Sequence, residues 1–232
     1  MTRPGPRAVF WDMDGTMVDT EPLWGVATYE LSERLGRRLS EEKREETVGG
    51  SFANTLRVCA EWAGISLDDA DYATHRTWMY RRMAELFEGS LEPNPGVREV
   101  LAALHAAGVP MMVTTNTERE LADRCIDAVG REFFVGSVTG DEVARPKPAP
   151  EMYLKAARTV GEDPAECLVF EDSWAGMSAA ADAGCVVLGL AGTVPEGVTR
   201  FDPALFAEAG RKPDAAACVT EWFRGAADTR GS

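Results

Sequence analysis

Positive charge is scarce in this chain. Twenty-four lysines and arginines face 38 aspartates and glutamates, a formal net charge of −14. That balance counts against a nucleic-acid partner, because no broad basic face is available to follow a phosphate backbone. It also opposes capture of an anion, so any phosphate site has to be built locally from a metal ion, a lysine and backbone N–H groups. Histidine is scarcer still. His75 and His105 stand far apart without metal-ligand spacing, which sets aside a zinc centre and a Ser–His–Asp triad. The five cysteines (Cys59, Cys125, Cys167, Cys185 and Cys218) form no C-x-x-C pair and are odd in number. They read as small buried residues of a reduced, intracellular protein. No apolar run approaches membrane-spanning length, and the opening M-T-R-P-G-P-R lacks the apolar segment of a secretion signal. A soluble cytoplasmic protein with no membrane partner is expected.

What is present is an ordinary hydrophobic fraction, 45% over 232 residues, enough for one core with a modest insertion. The most informative stretch is 8–20, A-V-F-W-D-M-D-G-T-M-V-D-T. Its apolar run is short, rich in β-formers, cut off at Asp12 and followed by turn residues, which predicts a buried strand. Asp12 and Asp14, two apart in extended chain, can face the same way, and Gly15 lets the backbone turn aside. Alone, the stretch also fits an Asp–Gly turn with Asp12 as a helix cap.

Further on, Thr20 is placed to cap a helix carrying Leu23, Trp24, Ala27, Leu31 and Leu35, with Gly36 as its stop. Residues 41–46 read as a solvated helix start, and 48–51 (V-G-G-S) as a break. Another helix ends near Gly64, and 68–88 form a third. No strand signal occurs between about 20 and 92. Pro93-Asn94-Pro95-Gly96 is the clearest break. After it the pattern alternates: helix 97–107, strand 109–113 followed by Thr114, Thr115 and Asn116, helix 118–129, strand 133–138, a stiff loop R-P-K-P-A-P over 145–150, helix 151–160, strand 167–170 ending in Glu171-Asp172, helix 175–183 and strand 185–190. The signal weakens from 194, and 225–232 read as disordered. The fold class is α/β: a Rossmann-like parallel sheet core, 1–18 and 94–232, with an α-helical cap inserted after the first strand, 19–93.

In a parallel sheet Asp12, Asp14, Thr115, Glu171 and Asp172 all reach one edge, joined there by Lys147 from the proline-pinned loop. Four crowded carboxylates repel: two at about 4 Å cost roughly 4 kcal/mol at an effective dielectric near 20. They need a cation or protonation, and an all-oxygen donor set suits Mg²⁺. Taken singly, Lys147 is as well explained as a solvated loop residue, Thr115 as a strand-end cap and Glu171-Asp172 as a helix cap. Together, in order, those explanations require repeated coincidence.

The ordered motifs W-D-M-D-G-T, V-T-T-N, R-P-K-P and V-F-E-D-S-W-A-G-M resemble the haloacid dehalogenase superfamily across nearly the whole chain. The helical insert is similar to its small α-helical cap, and E-P-L-W (residues 21–24) to its branch of sugar-phosphate phosphatases and β-phosphoglucomutase relatives. The resemblance implies a Mg²⁺-dependent phosphatase acting on a small phosphorylated metabolite. Asp12 would be the nucleophile that becomes an aspartyl-phosphate, and Asp14 the general acid and then base, its carbonyl also on the metal. Thr115, Asn116 and Lys147 would hold phosphoryl oxygens, and Asp172, with Glu171, would bind Mg²⁺. Asp14 disfavours dehalogenation, since dehalogenases of this fold lack an acid there. Lys43, the cap's only lysine, lies in a charged run and is a poor Schiff-base candidate for phosphonatase chemistry. Phe52 and Trp24 stand where β-phosphoglucomutase-like proteins carry arginine and histidine, so a phosphatase is preferred to a mutase; a non-catalytic binding module is the third reading. Trp24, Phe52 and Arg57 are the candidate specificity residues of the cap. A monomer is the default, and a sugar phosphate the favoured ester.

Overall fold

The computed structural model describes residues 5–229. Six parallel strands form one sheet in the order β3-β2-β1-β4-β5-β6: β1 Ala8–Trp11, β2 Met111–Thr114, β3 Gly136–Val138, β4 Cys167–Glu171, β5 Val186–Gly189 and β6 Thr199–Arg200. β1 is fully buried, as its apolar run requires. Its residues alternate between two layers. Val9 and Trp11 pack with α5 (Val97–Ala106), α6 (Arg119–Val129), α9 (Ala204–Gly210) and α10 (Ala215–Thr229). Ala8 and Phe10 pack with α7 (Glu151–Val160) and α8 (Trp174–Asp182). Strand order reverses between β1 and β4, so the crevice at their carboxyl ends is where such a sheet accepts a ligand.

Between β1 and α5 the chain forms α1 (Glu21–Arg34), α2 (Glu41–Glu45), α3 (Phe52–Ala63) and α4 (Asp69–Phe87), with no strand over 20–92. Ser40, Ser51 and Asp68 cap α2, α3 and α4 through their side chains, and Gly64, in the left-handed region, stops α3. Thr20 departs from expectation: its side chain makes no cap bond to α1 and turns into the site instead. The two crossings into this insertion lie side by side. The N–H of Asn94 donates to Met17 O at 2.7 Å and its side-chain amide to Thr16 O at 3.0 Å.

Two other expectations are corrected. The strand expected over 133–138 starts only at Gly136, because 131–133 coil into a 3-10 turn with Phe133 edge-on to His105. The weak C-terminal region is ordered. Trp11 stacks on Phe170 at 4.5 Å, and Phe201, Phe206 and Trp222 close around that pair. Residues 225–229, expected to be disordered, are the last turn of α10, with Ala226 and Ala227 buried; 230–232 lie outside the described residues. All five cysteines are buried thiols, none of them in a disulfide. Among the described residues no helix is long and apolar enough to cross a membrane.

Candidate active site

Four strand ends supply the site. β1 delivers Asp12 and Asp14; β2 delivers Thr115 and Thr117; β4 delivers Glu171 and Asp172; and the loop after β3 carries Lys147 back beneath them. The N–H of Asp12 still pairs with Phe170 O at 3.0 Å, so the sheet ladder sets its position. Lys147 is buried, and its ammonium uses all three protons: to Asp12 Oδ1 at 2.6 Å, Glu171 Oε1 at 2.5 Å and Thr114 O at 2.9 Å. A lone amine thus separates two buried carboxylates. Glu171 is further saturated by the Tyr153 hydroxyl on Oε1 and by the Ser173 N–H and hydroxyl on Oε2. Ser173, and neither Glu171 nor Asp172, caps α8. Among the described residues Asp172 accepts only a long bond from Thr16, 3.3 Å.

Burial and the neighbouring Glu171 push the Asp12 carboxyl well above its usual range, against the pull of Lys147. Asp172 is pushed up to about 8, by burial and then by Glu171. Burial opposes the Lys147 charge, and Asp12 and Glu171 together more than restore it, holding the ammonium well above its usual pKa. Asp12, Glu171 and Asp172 each offer an oxygen within 4.8 Å of the others. An all-carboxylate set in which burial and neighbouring charge raise the Asp12 and Asp172 carboxyls fits a hard divalent cation.

Gly15 makes that approach feasible. Its φ is +79°, and a Cβ there would lie 2.1 Å from Asp172 Oδ2. Gly15→Ala is expected to destabilise the fold by about 1–3 kcal/mol and to weaken affinity for a divalent cation, read by urea denaturation and metal titration; wild-type metal affinity in the variant would refute the contact.

Asp14 is held by four donors. Thr20 Oγ1 (2.5 Å) and Trp24 Nε1 (2.9 Å) reach Oδ1 from the insertion, and Thr115 Oγ1 (3.3 Å) and Thr117 Oγ1 (2.7 Å) reach Oδ2 from the sheet edge. The Asn116 side chain bridges layers: its amide donates to Gly49 O and Lys147 O, and its Oδ1 accepts from Lys147 N–H. Any phosphate contact from Asn116 therefore falls to its backbone. Gly49 lies so close to Ser173 that a Cβ would sit 2.4 Å from the serine Cβ. Arg76 of α4 grips Glu118 at the start of α6 and lies over the Tyr80 ring.

Trp24 and Phe52 line the pocket between insertion and sheet edge. Arg57 does not. It is exposed and paired with Glu61 and Asn54 on the outer face of α3. Sequence reasoning missed Thr117, Glu21 and Arg44. The charged run 41–46 is only partly solvated, since Arg44 turns inward with its side chain 11% exposed and binds Glu21 Oε2 at 3.0 Å and Thr47 Oγ1 at 3.0 Å. The available signal was the one-turn spacing of Arg44 and Thr47, which puts them on one helix face.

The family model described as haloacid dehalogenase-like hydrolase matches residues 6–184. Protein CbbY of Rhodobacter capsulatus is 32% identical over 225 residues, 93% of this chain and 96% of that protein. A phosphorylated carbohydrates phosphatase of Thermotoga maritima is 31% identical over 179 residues, 77% of this chain and 82% of that protein. The crystal structure of a CbbY mutant from Rhodobacter sphaeroides, holding xylulose-(1,5)bisphosphate, superimposes with a TM-score of 0.75 at 25% identity, covering 88% of this chain and 96% of that one.

Proposed function

The chain belongs to the haloacid dehalogenase-like hydrolases, and on that premise we propose that it is a Mg²⁺-dependent phosphatase. It hydrolyses a small phosphate monoester, a sugar phosphate above others, through an aspartyl-phosphate. The observation that supports this is the Lys147 ammonium seated between Asp12 and Glu171, with Asp172 completing a three-carboxylate group. Core 1–18 and 94–232 would carry the chemistry, and cap 19–93 the choice of ester.

Asp12 attacks phosphorus, and the ester P–O bond breaks as Asp14 gives its proton to the departing oxygen. Asp14 then takes a proton from water, whose oxygen displaces Asp12 and releases inorganic phosphate. Lys147, Thr115 and the Asn116 backbone hold the phosphoryl oxygens, where negative charge builds in the transition state. Asp12, Glu171, Asp172 and the Asp14 carbonyl would hold Mg²⁺, which when bound offsets the repulsion between attacking carboxylate and phosphate. Mutase chemistry is disfavoured, since Phe52 and Trp24 offer no cation or imidazole to keep a bisphosphate in place. The intact set Asp12, Asp14, Lys147 and Asp172 argues against a non-catalytic module.

The test is p-nitrophenyl phosphate hydrolysis with Mg²⁺ and with EDTA. Chelation is expected to lower turnover by at least about 100-fold, restored by Mg²⁺, corresponding to several kcal/mol of charge stabilisation. Turnover that ignores EDTA, or no turnover at all, sinks the reading.

A further inference from the structure

Resting on that phosphatase reading, we propose that the cap wall selects esters whose leaving group is an uncharged polyol and rejects esters carrying a second anion. Glu21 and Arg44 are the specificity-determining residues. Two cationic side chains line the pocket among the described residues, Lys147 at the sheet edge and Arg44 on the cap. Lys147 is committed to the reaction centre, where it binds Asp12, Glu171 and Thr114 O and, in the phosphatase reading, serves the transferred phosphoryl group. Arg44 already has its counter-charge: Glu21 neutralises it, Glu21 and Thr47 accept from its terminal nitrogens, and its buried Nε–H, without a partner among the described residues, is left to a neutral acceptor such as a hydroxyl.

A second phosphate or a carboxylate at that wall therefore meets the Glu21 carboxylate, and both cations there already carry carboxylate counter-charge. Asp12, Asp14 and Asp172 line the same pocket as Glu21, so it is already crowded with carboxylates. A hydroxyl fits where an anion does not. Glu21 is an acceptor, and the Thr28 and Thr55 hydroxyls on the same wall both donate and accept. Phe52 and Met79 supply the apolar surface for the C–H groups of a sugar or polyol. Only the outer phosphate of an ester then sits among Asp12, Thr115 and Lys147. This separates the chain from the CbbY whose structure holds a bisphosphate, despite their likeness.

The experiment measures kcat/KM by phosphate release on matched mono- and bisphosphates of hexoses and pentoses, with p-nitrophenyl phosphate alongside. The wild-type protein is expected to favour each monophosphate over its bisphosphate by about tenfold or more. Glu21→Gln keeps the shape and removes the charge, and moves that ratio about tenfold toward the bisphosphate. Arg44→Gln strips Glu21 of its counter-charge and moves the ratio the opposite way. A purely structural loss would lower both esters together and leave the ratios alone. Equal use of mono- and bisphosphates by the wild type overturns the proposal even if both variants fail to fold. So does an unchanged ratio in a variant that still hydrolyses p-nitrophenyl phosphate. Absence of p-nitrophenyl phosphate hydrolysis by the wild type refutes the phosphatase reading itself.

Discussion

Asp12→Asn is expected to lower phosphate release by about 10⁴-fold or more while leaving the metal-free fold at least as stable as the wild type. The amide cannot attack phosphorus, so the loss falls on kcat. The stability half follows from crowding. Asp12 is buried beside Glu171 and Asp172, and its carboxyl is pushed up by burial and by Glu171. Asparagine removes that repulsion and leaves Lys147 its bonds to Glu171 at 2.5 Å and Thr114 O at 2.9 Å. The same crowding sets a pH dependence. Asp172 has a pKa of about 8 in the folded chain against an ordinary value of 3.8. Between those values the folded protein holds a proton that the unfolded chain has released, so metal-free stability falls as pH rises through the window. Urea midpoints in EDTA at about pH 5 and about pH 8 should show that decline in the wild type and a shallower one in Asp12→Asn. Mg²⁺ should flatten both. An Asp12→Asn protein that keeps more than about 1% of wild-type turnover would remove Asp12 from the nucleophile's role.

What the sequence disclosed was what depends on neighbours along the chain. An apolar run that stops at an acid is a local signal, and β1 and β4 both carry it, so the gathering of Asp12, Glu171 and Asp172 at one edge follows from parallel topology alone. Lys147 stood out because its proline-flanked loop has little freedom to put it elsewhere. The side chains that depend on the insertion folding back were not legible. Thr20 resembles a helix cap until Asp14 is placed within 2.5 Å of it. Arg44 sits among acids that point outward, and its inward turn shows only once α1 brings Glu21 alongside. Arg57 could have been excluded by helical phase. It shares a face with Ala53 and Glu61, four residues away on either side, and both are exposed. The C-terminal helix was missed because half of its buried stripe is alanine and the ring that Trp222 packs against, Phe170, lies far back in the chain.

Lys147→Met should be the most damaging single change outside the hydrophobic core. The side chain is 1% exposed and its ammonium lies between carboxylates that are themselves 8% and 0% exposed. Methionine fills much of the volume but leaves Asp12 and Glu171 facing each other with no counter-charge. Removing one partner from a buried ion pair costs about 3–5 kcal/mol, because the remaining charge is stranded. The carboxylates can escape part of that by taking up protons, so the deficit relative to wild type should be smallest at about pH 5 and grow toward about pH 8. Mg²⁺ should recover some of it by acting on the same charges. Turnover should fall by about 10³-fold or more even where Mg²⁺ restores stability, since the phosphoryl oxygens lose a donor that no ion at the carboxylates replaces. Lys147→Arg keeps the charge but not the fit: a planar guanidinium cannot reach Asp12, Glu171 and Thr114 O in the pyramid an ammonium uses, and activity should stay low. Urea denaturation at both pH values, with and without Mg²⁺, separates the electrostatic loss from the catalytic one. A Lys147→Met protein as stable as wild type at about pH 8 in EDTA would mean that something other than this amine keeps the two carboxylates together.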